Sequence, residues 1–213
     1  MLRAVQRKRK KAPRLEPPAG PGRPRDFDID EALDRAMRLF WLKGYLGTSI
    51  SDLTRELGIS RASLYAAFGS KEELYGRALD RYGDGPSAYQ REALEAPTAH
   101  EVVKRILEGV VDAATSPRNP RGCMWVVGML SSGDPEGAVR QDLIARRRAD
   151  EANLLKRFKR AVAEGDLPAD ADAAALTRYI TSVNFGLAVQ AASGASREQL
   201  RGVVAAVVRT WPP

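Results

Sequence analysis

The chain has 213 residues, 44% of them apolar, with 34 Lys+Arg against 27 Asp+Glu, for a formal net charge of +7. Residues 1–25 hold nine basic side chains and one acid, a local +8, which leaves the other 188 residues at −1 and points to a polyanion at one end of the chain. The longest low-polarity run, Gly122 to Leu130, is nine residues, short of the ~20 a membrane helix needs, and one cysteine (Cys123) with one histidine (His100) supplies neither a disulfide framework nor a His/Cys metal cluster.

Residues 1–25 contain five prolines and no apolar segment behind the basic cluster. They read as a disordered basic arm rather than a secretory signal. Helical periodicity begins after Asp26. Leu33, Ala36, Met37 and Phe40 share one face of a first helix, with Asp28 and Glu31 at its start and Gly44 at its end. Ile50, Leu53 and Leu57 mark a shorter second helix, opened by Thr48 or Ser49 and closed at Gly58. Ser60 caps a third, which carries Leu64 and Phe68 and stops at Gly69. Ser70 with Glu73 forms a capping box for a fourth, reaching toward Tyr82.

A break at Gly83–Pro86 precedes a second unit with longer elements. Thr98 and Glu101 form a capping box for a helix to about Thr115. A helix with Met124, Trp125, Val127 and Leu130 follows. Pro135 suits the first turn of a long helix to about Glu164. Leu176, Tyr179, Ile180, Val183 and Leu187 define the next, and Ser196 with Gln199 caps the last, whose stripe is Leu200, Val203, Val204, Val207, Val208 and Trp211. The fold class is all-α, with about nine helices and no sheet. Residues 1–25 are the arm, 26–82 a small helical unit and 83–213 a larger helical domain.

Residues 48–71 carry the function. They form a helix, a three-residue turn and a second helix. Gly58 permits the left-handed backbone for an abrupt exit, Ile59 plugs the turn, and Ser60 caps the helix that follows. Burial of Leu64 and Phe68 leaves Arg61, Ser63, Tyr65 and Ala67 on or near the opposite side. A short helix with small residues and one arginine outward can enter a major groove.

This text closely resembles the TetR family of bacterial transcription regulators. The matching residues are Gly44-Tyr45, Thr48-Ser49-Ile50, Leu53 to Ser60, Leu64 to Phe68 and Gly69 to Leu74. The detailed likeness covers residues 28–82, and the later helices agree in number and length with the family's effector-binding and dimerisation domain. The resemblance implies that Arg61, Ala62 and Ser63 start the recognition helix, where base edges are read. Arginine there can donate to both guanine O6 and N7. It implies phosphate contacts from Tyr65, from Lys71 in the first turn of the fourth helix, and from Thr48 at the start of the second. It also implies a homodimer through the last two helices.

Gly22-Arg23-Pro24-Arg25 resembles the core of an AT-hook, which places Arg23 and Arg25 in a minor groove. Met124, Trp125, Met129, Phe158, Tyr179 and Phe185 either line an effector pocket or belong to the core. Cys123 reads as a buried, inert thiol and His100 as a surface residue of a first helical turn. The expected protein is a homodimeric DNA-binding regulator, a repressor released from a palindromic double-stranded operator by a small-molecule ligand. It is expected to be bacterial and cytoplasmic, nucleoid-associated when bound, with no enzymatic activity, cofactor, metal or membrane partner. A helical enzyme is disfavoured by the lack of a convergent acid/base or metal group. An architectural or RNA-binding protein acting through the arm is the other rival.

Overall fold

The computed structural model describes residues 27–131 and 137–212. Arg23, Arg25 and Pro135 therefore lie outside the described residues. The described chain forms ten α-helices and no strand: α1 (Ile29–Lys43), α2 (Ile50–Leu57), α3 (Arg61–Phe68), α4 (Lys71–Asp84), α5 (Tyr89–Ala93), α6 (Ala99–Ala114), α7 (Met124–Ser131), α8 (Ala138–Ala163), α9 (Ala173–Ala192) and α10 (Arg197–Arg209). The addition to the expected set is α5. Its five residues are too few to show a period, and no side chain caps its start.

Local chemistry sets the helix starts. Asp28 accepts the amides of Asp30 at 2.8 Å and Glu31 at 3.2 Å. Ser49 with Asp52, Ser70 with Glu73 and Ser196 with Gln199 make reciprocal capping boxes, each satisfying amides that the first turn leaves open. Ser49, not Thr48, is thus the cap of α2. The box expected at α6 is only half formed. Thr98 accepts the Glu101 amide at 3.2 Å, but the Glu101 carboxylate pairs with Arg105 at 3.0 Å, one turn on. Asp166, from the α8–α9 connection, takes the neighbouring Ala99 amide.

The four N-terminal helices pack around α1 and α4. Phe40 meets Tyr75 edge-on at 4.9 Å and Trp41 meets Tyr82 at 4.7 Å. Arg81 on α4 grips Asp34 on α1 through two N–H bonds of 2.7 and 3.1 Å. Helices as short as α2 and α3 do not persist alone. They are held by Leu53, Leu64 and Phe68, each no more than 1% exposed, and burial of such a side chain contributes about 1.5–3 kcal/mol.

The larger bundle is built on α6, which packs against α5, α9 and α10, with α8 lying along α9. Its core is continuous with that of the N-terminal helices. Trp125 on α7 stacks edge-on against Tyr82 at 5.6 Å, and Arg146 on α8 pairs with Asp80 on α4. Arg157 on α8 is 4% exposed and donates to the Ala96 and Pro97 carbonyls at 3.0 and 3.1 Å. No helix among the described residues is long and apolar enough to cross a membrane.

Candidate nucleic-acid interface and effector cavity

The turn between α2 and α3 is set by Gly58, whose backbone is left-handed at φ 68° and ψ 26°. The Ile59 amide closes the turn on the Thr54 carbonyl at 3.2 Å. Ser60 caps α3 through the Ser63 amide at 3.0 Å. With Leu64 and Phe68 turned inward, the exposed positions of α3 are Arg61, Ala62, Tyr65 and Ala66. Ala66 is absent from the expected set, although it lies four residues after Ala62 and so shares its face. Ser63 is half-buried, its hydroxyl paired with Ser60 Oγ at 2.9 Å. Tyr65 is 44% exposed. Neither the Arg61 guanidinium nor the Tyr65 hydroxyl has a polar partner among the described residues.

Lys71 opens α4 directly after the cap Ser70. Its ammonium sits 4.1 Å over the Tyr45 ring, held in place by a cation–π contact. Partial burial lowers its pKa, while the charge of Glu72 pulls the other way. The Tyr45 hydroxyl donates to the Glu72 carboxylate, which keeps that carboxylate acidic and leaves the lysine on its aromatic platform. Asp52 is held down to about 2, first by the Ser49 amide and hydroxyl and then by Lys43.

Thr48 is a correction. It is 0% exposed, and its hydroxyl donates to the Gly44 carbonyl at 2.7 Å. The threonine ties off the α1–α2 connection and cannot present its hydroxyl to a phosphate in this arrangement. The exposed hydroxyl at this helix start belongs to Ser49.

A cavity of about 290 Å³ lies in the C-terminal bundle, walled by α7, α8 and α9 with contributions from α6 and the α4–α5 region. Trp125, Met129 and Phe185 line it, and the Trp125 indole donates to Ser87 Oγ at 3.3 Å. The other three residues expected there do not. Met124 and Phe158 are 0% exposed core residues, and Phe158 packs against Trp211 at 5.5 Å. Tyr179 points outward, 38% exposed. Periodicity groups aromatics by face but does not say which face meets a void. Cys123 is buried, takes a hydrogen bond from the Tyr82 hydroxyl at 3.3 Å, and has its thiol pKa pushed up by burial. That is the opposite of an activated thiolate.

Comparisons with known proteins agree with this geometry. Residues 32–78 match the family model for bacterial regulatory proteins of the tetR family, and residues 99–207 match the tetracyclin repressor-like C-terminal domain. The chain is 32% identical over 193 residues to the HTH-type transcriptional repressor ComR of Escherichia coli (strain K12), covering 90% of this chain and 92% of that protein. It is also 32% identical to the uncharacterised HTH-type transcriptional regulator YezE of Bacillus subtilis (strain 168), covering 84% of this chain and 94% of that one. Among solved structures, a cysteine mutant of the TetR family transcriptional regulator CifR, complexed with 26-base-pair double-strand operator DNA, superimposes with a TM-score of 0.83. That match has 45% identity and covers 89% of this chain and 100% of the other.

Proposed function

This chain belongs to the tetR family of bacterial regulatory proteins, and from that premise we propose that it is a homodimeric repressor. It binds a palindromic operator through α3 and releases it when a small molecule enters the cavity. The observation that carries this is the outer face of α3, where Arg61, Ala62, Tyr65 and Ala66 are exposed and the two polar groups have no partner among the described residues. Such a face breaks no bond to the described fold when it meets DNA and is sized for a major groove. The relative solved with operator DNA and the relative named a repressor support the same reading.

In this reading Arg61 reads a base edge and Tyr65 and Lys71 bind phosphates, the last aided by the N-terminus of α4. The arm, with Arg23 and Arg25, adds minor-groove and salt-sensitive contacts. Dimerisation uses α9 and α10, where Tyr179, Val189 and Val203 stay 38%, 45% and 47% exposed. A second copy covers that apolar surface and sets the two α3 helices about 34–36 Å apart, one turn of DNA. The effector acts through α7, which walls the cavity on one side and packs on α1 on the other. A ligand that favours a different α7 position shifts the reading heads by no more than its differential affinity allows. The protein acts in the cytoplasm, at the nucleoid when bound, and as a regulator rather than an enzyme.

Selection of bound duplexes from a random pool tests this reading. The expected product is an inverted repeat with half-site centres about 10 base pairs or a multiple apart. Recovery of unrelated sequences, or of single half-sites only, contradicts it.

A further inference from the structure

We propose that the effector is a neutral, largely apolar molecule about the size of a fused two-ring aromatic, carrying a hydroxyl group that is held by Asn184. This rests on the reading of the chain as a ligand-released regulator and adds the chemistry of the ligand. The cavity volume of about 290 Å³ is near twice the roughly 150 Å³ of a cavity that takes benzene. Its walls include Ile106, Trp125, Leu154 and Phe185, so most of the ligand surface must be apolar.

The polar groups narrow the choice. The Ser87 hydroxyl already takes two donors, the Trp125 indole at 3.3 Å and the Gln90 amide at 2.9 Å. Thr181 donates along its own helix to the Thr177 carbonyl at 2.9 Å. Asn184 differs. It lines the cavity at 4% exposure, and its buried carbonyl oxygen has no hydrogen-bond partner. The Gln90 amide also donates to the Tyr89 hydroxyl at 3.5 Å, so among these side chains the Asn184 carbonyl oxygen is the open acceptor. A buried acceptor left unpaired is costly, and a ligand that supplies the missing donor recovers that cost. A hydroxyl is the best match because it donates to the carbonyl, and were the amide turned over it would accept from the nitrogen instead.

Neutrality follows from the rim. Two cations, Arg91 and Arg147, face two acids, Asp150 and Glu151. Arg91 is paired with Asp84 at 3.1 Å and Arg147 with Glu151 at 3.0 Å. With two charges of each sign in its lining, the site carries no net charge to hold an ion.

Calorimetric titration of the full chain with β-naphthol, β-methoxynaphthalene and naphthalene tests the inference. β-Naphthol is expected to bind about tenfold or more tightly than the other two. In Asn184→Leu the three are expected to bind within about threefold of one another. Equal binding of β-naphthol and its methyl ether by the natural chain, no binding of β-naphthol, or a preference that survives in Asn184→Leu would each overturn it. If Asn184→Leu does not fold, the series on the natural chain decides alone. Operator binding is measured on the same preparation without added compound. Loss of operator binding with naphthol binding intact defeats the regulator reading and leaves this one standing, and the reverse pattern defeats only this one.

Discussion

Arg61 and Lys71 are both cations at the start of a helix, yet their surroundings differ, and in the proposed reading so does their work. Arg61 is exposed on α3 with no partner among the described residues, and can meet two acceptors on one base. Lys71 is half-buried on the Tyr45 ring, a point charge at an amide-rich helix start. Arg61→Ala is therefore expected to narrow the affinity gap between operator and mismatched duplex, by about 1–3 kcal/mol at the affected position. Lys71→Ala is expected to weaken all sequences alike and lower the salt slope by about one. Salt-titrated anisotropy on both duplexes separates the two, and identical behaviour contradicts the division of labour. At this scale the sequence is informative about position where a backbone motif fixes the side chain: Arg61 and Tyr65 are exposed on α3 and Lys71 opens α4. It misleads at Thr48, whose hydroxyl goes to a carbonyl four residues back. That acceptor exists only once Gly44 has turned the chain. Asn184 leaves no sequence signal at all, because an unpaired carbonyl is a property of its neighbours.

Among the elements, the helix ends near the DNA-reading surface depend on two glycines of different character. Gly58 has φ +68° with no atom within 4 Å of an added Cβ. Gly44 has φ 70° and ψ 175°, a region nearly closed to other residues, and an added Cβ would lie 2.0 Å from Ser131 Oγ and 2.7 Å from Ser131 Cβ on α7. Gly58→Ala is expected to cost about 1 kcal/mol. Gly44→Ala is expected to cost about twice that or more, from strain and collision together. Urea unfolding midpoints give the comparison, and equal losses would contradict the close α1–α7 approach. Ser131→Ala should recover part of the Gly44→Ala loss only. Helix starts were legible because capping chemistry is local: Ser60, Ser70 and Ser196 act as read, and of the two candidates at α2 it is Ser49 that caps. The second half of the α6 box failed because Arg105 competes for Glu101, and α5 was missed because it is fixed by packing on α6 rather than by any period of its own.

For the whole molecule, the charge that first suggested nucleic acid lies largely outside the sequence of the helix-turn-helix. Residues 26–82 carry eight basic side chains against ten acids, so specific binding has to come from a few placed groups, and in the proposed reading the arm of residues 1–25 adds bulk attraction. The described residues of the reading unit share one core with the bundle, through Tyr82, Trp125 and the α1–α7 contact. That continuity lets a ligand in the cavity act on α3 without touching it. The central claim is sequence-specific recognition by α3, and the most direct measurement is affinity for a selected palindromic duplex and for random duplex of equal length, each titrated with salt. A preference of at least about a thousandfold that persists as salt rises is predicted. Equal affinities falling together with salt would contradict it and leave only the arm binding DNA.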